Sequence, residues 1–265
     1  MLGGGVMGEA LISRLIAQKV YSSKTILVSE PLAERRQFLA DRYGVLVTED
    51  NRTAVAAEVL LLAVKPQVFE TVVAGLASSL PDRAEASPSL ILSILAGTTL
   101  ETLEAAFPGK AIVRAMPNTP ATVGAGITAI APGKQAQPHH LDQAQRIFEA
   151  VGEVVQVTES MMDAVTGLSG SGPGYIALVA EALTDGGVAA GLPRAIATRL
   201  ALQTVKGTAQ LLQESGMHPG ELKDRVTSPG GTTIAGIVHL ERSGFRSALI
   251  EAVRAAYLRS QELGR

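Results

Sequence analysis

Three glycines near the start of the chain have the spacing of a dinucleotide-binding loop. Gly3, Gly5 and Gly8 lie in the stretch MLGGGVMGEAL and form the pattern G-x-G-x-x-G. Glycines at these places permit a tight turn and a close approach of the backbone to a pyrophosphate. Residues 9–19 are compatible with a helix whose first N–H groups would point at the anion. The alternative interpretation is a glycine-rich turn that holds no ligand.

The glycine pattern normally follows a β-strand, but only Met1 and Leu2 precede it here. A central strand missing from a sheet would leave buried backbone N–H and C=O groups without partners. We therefore expect the natural protein to begin several residues earlier, with an apolar strand.

The next predicted strand is TILVS at residues 25–29. The residues at its end could determine whether the protein prefers NAD or NADP. Glu30 lies close to the spacing of roughly 20 residues at which an acid binds the adenosine ribose hydroxyls, which favours NAD. Ser29, with Arg35 and Arg36 nearby, could instead accept a 2′-phosphate, which favours NADP. We interpret the two arginines as solvated charges on a helix face. The sequence leaves the choice between NAD(H) and NADP(H) open.

Polar residues follow several later strands, where ligands of open α/β sheets bind. Lys65 in AVKPQ closes the buried run VLLLAV and is either a ligand contact or an ordinary surface lysine. SILAGTT (93–99) and RAMPNTP (114–120) end two further strands. Asn118, between two prolines, could present its amide to a nicotinamide or a substrate, or could only cap a turn.

The stretch TSPGGTT (227–233) combines a tight Pro-Gly-Gly bend with hydroxyl side chains just before a predicted helix. Free N–H groups of Gly231, Thr232 and Thr233 could converge on one carboxylate there. A plain turn would be unusually polar and rich in glycine within an apolar helical region. SGSGPGY (169–175) is more simply a tight turn between domains that leads into a helix.

The elements that carry these residues change in character near Thr158. Before it, short β-rich runs alternate with helical stretches, which predicts a doubly wound parallel sheet of Rossmann type. The predicted strands are 25–29, 45–47, 59–64, 89–95, 111–116, 127–131 and 153–157. After it we find only helices, at 175–190, 193–214, 221–226, 233–241 and 245–263. We therefore expect a dinucleotide-binding domain at residues 1–157 and an all-α dimerisation and substrate-binding domain at residues 158–265.

The helical half is rich in Ala and Leu and has few charges. It is more apolar than a separate domain of this size needs, which favours packing against a partner chain. The alternative is an ordinary buried core.

Composition excludes several classes of protein. The 265 residues are 46% hydrophobic and 18% charged, with a net charge of −2, as in a globular protein. No basic run is present, which argues against nucleic-acid binding. The chain has no Cys, which excludes disulfides and thiolate metal sites. We find no signal peptide and no apolar run near the length of about 20 residues that spans a membrane. A cytoplasmic protein without a metal is expected.

Six stretches, in this order and spacing, resemble the pyrroline-5-carboxylate reductase family over essentially the whole chain. They are GGGVMGEAL, LLLAVKPQ, RAMPNTP, GLSGSGPGY, DGGVAAGLPR and LKDRVTSPGGTTIAGIVHLE. The last is nearly diagnostic. The resemblance implies reduction of 1-pyrroline-5-carboxylate to L-proline with NAD(P)H, the final step of proline biosynthesis, by a homo-oligomer built on a dimer.

The resemblance also implies roles for individual residues. The cofactor would contact the glycine loop, the adenosine end and the strand ends, at Gly3, Gly4, Gly5, Val6, Met7, Gly8, Ser29, Glu30, Asn51, Ala63, Val64, Lys65, Pro66, Ala96 and Asn118. The substrate would contact Glu159, Ser228, Gly231, Thr232 and Thr233, in a pocket completed by the helical domain of a second subunit.

The residue inventory fits reduction of an imine. A protonated imine nitrogen is discharged by hydride transfer, so no general acid is needed, whereas a carbonyl usually needs one. The four histidines lie outside the glycine-rich stretches and are interpreted as structural or solvated. Thr233 is the candidate catalytic residue, as hydrogen-bond partner of the ring nitrogen. The alternatives are a related imine or β-hydroxyacid-type reductase, for which Lys206 is a weak candidate, and a dinucleotide-binding sensor without catalysis.

Overall fold

The computed structural model describes residues 1–77 and 89–264. Arg265, the last residue of the predicted helical domain, lies outside them. By its contacts the chain divides into two compact units, Met1–Ser171 together with Ala255–Arg265, and Gly172–Arg254. The domain boundary predicted between residues 157 and 158 stays a prediction.

The first unit contains all seven strands of the described residues. These are β1 Leu27–Ser29, β2 Leu46–Thr48, β3 Val59–Leu62, β4 Leu90–Ser93, β5 Ala111–Met116, β6 Gly126–Pro132 and β7 Gly152–Gln156. β1 pairs with β2, and the other five form a sheet in the order β3-β4-β5-β6-β7. Each overlaps one of the predicted strand regions, with ends shifted by at most two residues.

Leu2 links the two sets of strands. It forms parallel bridges to both Ser29 in β1 and Leu62 in β3. Its N–H donates to the Leu61 carbonyl, and its own carbonyl accepts from the Ala63 N–H, both at 2.8 Å. Residues 1–3 therefore occupy the central position between β1 and β3, directly before the glycine loop. The expectation that the natural chain starts earlier stays a prediction.

The prediction of a wholly parallel sheet is wrong for one pair of strands. β6 runs antiparallel to β5, with Arg114 opposite Ala131, whereas β7 is parallel to β6. The connection between β5 and β6 holds only the 3₁₀ helix Thr119–Val123. A parallel return needs a crossover of a dozen or more residues, so this short segment can only reverse the chain direction.

The helices of the first unit follow the strands closely. They are α1 Val6–Ala17, α2 Ala33–Tyr43, α3 Asn51–Ala54, α4 Phe69–Ala77, α5 Leu100–Ala106, α6 Pro138–Glu149 and α7 Met162–Val165. Pro66 opens a 3₁₀ turn, Pro66–Val68, just before α4. The sequence did not predict α3 or α7, which are single turns too short to show a periodic pattern.

Both faces of the sheet are buried. Leu61 belongs to one apolar cluster, while its neighbours Leu60 and Leu62 belong to the other. Ile91 and Leu92 alternate in the same way. Successive side chains of a strand point to opposite faces, so consecutive apolar residues are needed where helices cover both.

The second unit is helical. It contains α8 Gly172–Ala189, α9 Arg194–Ser215, α10 Pro219–Arg225, α11 Thr232–Arg242 and the first half of α12 Phe245–Leu263. Gly216, with φ +63°, ends α9 as predicted. Small residues let α8 and α9 approach closely, since a Cβ at Gly187 would lie 3.1 Å from Ala197 Cβ.

Many large apolar side chains of the second unit are exposed. They include Ile176, Leu178, Leu183, Ile196, Leu200 and Leu202. Such an apolar surface is typical of a protein interface. Among the described residues, no helix has the length and apolar character to cross a membrane.

Candidate active site

The glycine loop has the geometry that a dinucleotide requires. Gly3 has φ +94°, and a Cβ there would lie 2.6 Å from the Ala63 carbonyl oxygen. A Cβ on Gly8 would lie 2.6 Å from the Gly3 carbonyl oxygen, so a side chain would force α1 away from the loop. Gly5 has open space on the side where a Cβ would stand. Tight turn, open approach and close helix packing are the three roles of the Rossmann glycines, so these residues fit a dinucleotide cofactor.

The start of α1 offers unpaired N–H groups beside this loop. Gly5 is the N-cap and has no side chain to cap the helix. The first N–H groups of a helix have no acceptor within it, and the helix dipole adds positive potential there. Val6, the first helical residue, is 73% exposed. This end of α1 is therefore suited to bind a phosphate.

Two charged side chains hold Gly4 by its backbone. Its N–H donates to Glu30 Oε2 at 2.9 Å, and its carbonyl accepts from Arg35 Nε at 2.7 Å. Arg35 Nη2 also donates to Glu9 Oε2 at 2.5 Å. Arg36 donates to the carbonyls of Glu30 and Pro31. The interpretation of both arginines as solvated helix charges is therefore wrong, because each has backbone acceptors within reach.

Glu9 is ionised in a network that extends to α2. Burial alone would raise the pKa of Glu9, but hydrogen bonds from Tyr43 and Arg35 and the nearby positive charge outweigh it, so that the pKa is lowered. The Tyr43 hydroxyl donates to Glu9 Oε1 at 2.7 Å. Burial and this bond to Glu9 raise the pKa of Tyr43. The network ties α1 to α2 behind the glycine loop.

The residues predicted for the adenosine end meet at the end of β1. Ser29 Oγ donates to Asn51 Oδ1 at 2.7 Å, and Asn51 is the first residue of α3. Glu30 follows directly and is 7% exposed. Its second oxygen, Oε1, accepts from the Leu32 N–H at 3.1 Å. Both carboxylate oxygens of Glu30 thus have backbone partners.

The predicted nicotinamide side follows β3 and β4. Ala63 and Val64 are partly buried, while Lys65, Pro66 and Ala96 are exposed. Ala63 is fixed by its bond to Leu2, next to Gly3. These two strand ends lie on the same edge as the glycine loop, since β3, β4 and residues 1–3 run parallel.

Asn118 is engaged by the chain itself. Its Oδ1 accepts from the Ile127 N–H at 3.0 Å, and its Nδ2 donates to the Ser169 carbonyl at 3.1 Å. Both polar atoms of this side chain therefore bond within the chain, as the turn-capping alternative predicts, and its contact with a cofactor stays a prediction. Ser169 lies in a π-helical turn, Thr166–Gly170, that the sequence did not predict. Such turns are often found at functional sites.

Glu159 forms an ion pair with a buried arginine. Arg114 Nη1 donates to Glu159 Oε1 at 2.6 Å, and the same oxygen accepts from the Leu100 N–H at the start of α5. Glu159 Oε2 is buried and has no hydrogen-bond partner. Arg114 was missed from the sequence, although a charge within the apolar strand AIVRAM signals a need for a buried partner.

The stretch TSPGGTT belongs to the second unit, and its last two residues, Thr232 and Thr233, begin α11. The Gly231 N–H donates to the Ser228 carbonyl at 3.0 Å, so the expectation that this group is free is wrong. The bend, with Gly230 at φ +64°, brings this carbonyl back to it. The N–H groups of Thr232 and Thr233 lie in the first turn of α11, where no intrahelical acceptor exists. Ser228, Thr232 and Thr233 are exposed.

Known proteins match both parts of the chain. A family model described as pyrroline-5-carboxylate reductase dimerisation matches residues 159–263, and one described as NADP oxidoreductase, coenzyme F420-dependent, matches residues 1–97. The pyrroline-5-carboxylate reductase of Synechocystis is 60% identical, over 100% of this chain and 97% of its own length. The chain belongs to the pyrroline-5-carboxylate reductase family.

Solved structures agree with this membership. A pyrroline-5-carboxylate reductase from Coxiella burnetii matches with a TM-score of 0.90 and 36% identity, over 100% of this chain and 97% of that one. The pyrroline carboxylate reductase of Plasmodium falciparum, with NADP bound, matches with a TM-score of 0.88 and 29% identity over the same shares. The resemblance seen in the motifs is confirmed, as is the fold class of a Rossmann-type unit followed by helices.

Proposed function

We propose that the protein reduces 1-pyrroline-5-carboxylate to L-proline with NADH or NADPH, the last step of proline biosynthesis. Membership of the pyrroline-5-carboxylate reductase family, at 60% identity over the whole chain, is the observation that carries this proposal. The glycine loop supports the cofactor, which supplies the hydride.

The first unit holds the dinucleotide in this proposal. Gly3, Gly5, Gly8 and the N–H groups of Val6 and Met7 contact the pyrophosphate, because this is where the backbone is open and unpaired. Gly4 shapes the loop. The remaining cofactor contacts are proposed at Ser29, Asn51, Ala63, Val64, Lys65, Pro66, Ala96 and Asn118.

The second unit grips the substrate carboxylate. The N–H groups of Thr232 and Thr233 and the hydroxyl of Ser228 are exposed at the start of α11, where an anion is stabilised. Gly231 contributes the bend. Glu159, in the first unit, is also proposed as a substrate contact, and its buried Oε2 has no hydrogen-bond partner.

Thr233 is proposed as the hydrogen-bond partner of the ring nitrogen. Catalysis then consists of positioning and electrostatic stabilisation rather than proton transfer to an oxyanion. His140 and His218 accept backbone N–H bonds at helix starts, which accounts for them without catalysis. Among the described residues there is no cluster of three or more acidic or histidine side chains that could hold a metal.

We propose that the working molecule is a homo-oligomer built on a dimer, in the cytoplasm, with a small-molecule substrate and no nucleic-acid or membrane partner. The exposed apolar side chains of α8 and α9 support an interface. The family model for residues 159–263 is itself described by dimerisation.

Oxidation of NADH and of NADPH, followed by absorbance, tests the reaction. Turnover with 1-pyrroline-5-carboxylate should exceed that with 2-ketoacids or other imines, and failure to do so would overturn the proposal.

Thr233→Ala should lower kcat/KM about tenfold, the effect of one hydrogen bond at the reacting centre. Thr71→Ala, an exposed threonine on α4, is the matched control and should leave kcat/KM unchanged.

A further inference from the structure

Gly4 lies in the middle of the glycine loop, yet neither of its backbone polar groups is free for a ligand. The N–H donates to Glu30 Oε2 and the carbonyl accepts from Arg35 Nε. A Cβ on Gly4 would lie 2.5 Å from Leu39 Cδ1, so α2 also packs directly against this residue. Gly4 is thus the residue at which side chains of the protein fix the glycine loop in place.

The Glu30 carboxylate is turned toward the protein backbone and is little exposed to a ribose hydroxyl. One oxygen accepts from Gly4 and the other from the Leu32 N–H, at 2.9 and 3.1 Å. The residue is only 7% exposed. An acid at the end of this strand would ordinarily discriminate against a 2′-phosphate by binding the 2′-hydroxyl. Here the carboxylate is directed at the protein backbone.

Arg35 is itself fixed in place. Its Nη2 donates to Glu9 Oε2, and Glu9 Oε1 accepts from the Tyr43 hydroxyl. Glu9 lies in α1 and Tyr43 in α2, so the guanidinium bridges both helices while it reaches the loop. A planar guanidinium can donate in two directions at once, whereas a lysine ammonium is a single flexible point.

We propose that Glu30 and Arg35 are positioning residues that clamp Gly4 and set the glycine loop for the pyrophosphate. This part is common to NADH and NADPH, so the clamp acts equally on both, and Glu30 does not select between them. The inference rests on the proposed dinucleotide-binding function and gives these two residues roles within it.

Glu30→Gln tests the selectivity part. A glutamine amide keeps one acceptor oxygen but has an NH₂ donor in place of the other, so one of the N–H groups of Gly4 and Leu32 loses its acceptor. The dissociation constants of NADH and NADPH, measured by fluorescence titration without substrate, should both rise about tenfold, as expected for one lost charge-assisted hydrogen bond. Their ratio should stay within twofold of the wild-type ratio. Glu34→Gln removes the same charge from an exposed neighbour and should change neither constant.

Arg35 provides a second, independent variant. Arg35→Met should weaken both dinucleotides about tenfold, while kcat at saturating cofactor stays within twofold of wild type. Arg35→Lys should restore only part of the affinity, because it cannot serve Gly4 and Glu9 together. Thermal denaturation of each variant checks that the fold is retained.

The outcomes separate this inference from the proposed function. A wild-type protein that binds neither dinucleotide would overturn the proposed function, and the clamp with it. Wild-type binding that neither variant weakens would overturn the clamp alone. A selective loss of NADH affinity in Glu30→Gln would instead make Glu30 a ribose ligand.

Discussion

Single residues of the glycine loop have different physical tasks. Gly3 needs a backbone angle that other residues rarely adopt, Gly5 needs open space, and Gly8 needs the absence of a Cβ. Gly4 is different again, because its backbone groups are bonded by two charged side chains. The sequence motif gives the positions of the glycines, but only the structure shows why each position requires a glycine.

Gly8→Ala should damage the loop while leaving the rest of the fold intact. The new Cβ would meet the Gly3 carbonyl oxygen at 2.6 Å, and backbone on both sides cannot yield cheaply. We expect the dissociation constant of NADPH, measured by fluorescence, to rise at least about tenfold.

Gly75→Ala in α4 is the matched control, since a Cβ there meets nothing within 4 Å. It should stabilise the protein by about 0.5–1 kcal/mol through its helix propensity. Equal affinity of both variants for NADPH would contradict this account.

Glu9→Gln should change the dependence of stability on pH. The folded-state pKa of Glu9 is lowered because its bonds to Tyr43 and Arg35 outweigh its burial. A lowered carboxyl pKa contributes stability above the ordinary value of about 4.3, and this is lost as pH falls through the folded-state pKa. Urea denaturation should show the variant less stable by about 1 kcal/mol at pH 7, with the difference shrinking below about pH 4. A difference that is the same at both pH values would exclude this role.

At the scale of elements, the strands and long helices could be predicted, but the direction of one strand could not. Short apolar runs that alternate with helical stretches locate β1 to β7. The strands stand out as consecutive apolar residues because helices cover both faces of the sheet. The reversal at β6 depends on the short connection at residues 117–125, which begins within RAMPNTP, a stretch whose pattern predicts the end of a strand rather than a turn. Bonds between distant residues, such as those of Arg35 with Gly4 and Glu9, leave no local pattern.

The ion pair of Arg114 and Glu159 joins β5 to the 3₁₀ turn Glu159–Met161, and Glu159 also accepts from the Leu100 N–H at the start of α5. Arg114→Met would leave the Glu159 carboxylate without its charged partner, and we expect a loss of about 3 kcal/mol in the free energy of unfolding. Glu159→Gln in the same background should recover part of this loss, because the neutral amide oxygen can still accept from the Leu100 N–H. Urea denaturation of the two single variants and the double variant measures this coupling. Additive effects would show that the pair does not act as a unit.

At the scale of the whole molecule, the two units differ in how far their apolar side chains are buried. The first unit has a buried apolar core, in two clusters on either side of the sheet. The second unit leaves Ile196 and Leu200, one turn apart on α9, about half exposed. The composition of the helical half indicated a partner chain, but it could not say which residues would stay uncovered in one copy.

Charges placed on α9 should separate the proposed oligomer. Ile196→Glu combined with Leu200→Glu would bury two unpaired carboxylates in an interface, at a cost of several kcal/mol. We expect a smaller species by size-exclusion chromatography with light scattering, with helix content by circular dichroism preserved. Val123→Glu, at an exposed apolar residue of the first unit, is the control and should keep the wild-type mass. An unchanged mass for the α9 variant would place the interface elsewhere.

The position of Leu2 has a consequence for the order of events during synthesis. The glycine loop leaves the ribosome before the strands that frame it, since Leu2 is bridged to Ser29 and Leu62, and the space where a Cβ on Gly3 would stand is closed by Ala63. Contacts distant in sequence form late, because chain entropy is lost before they are gained. A nascent chain whose β3 has not yet left the ribosome therefore carries the glycine loop without the strands that frame it. The glycine loop is synthesised before β3, but the dinucleotide site that it forms is assembled only after β3 has been made.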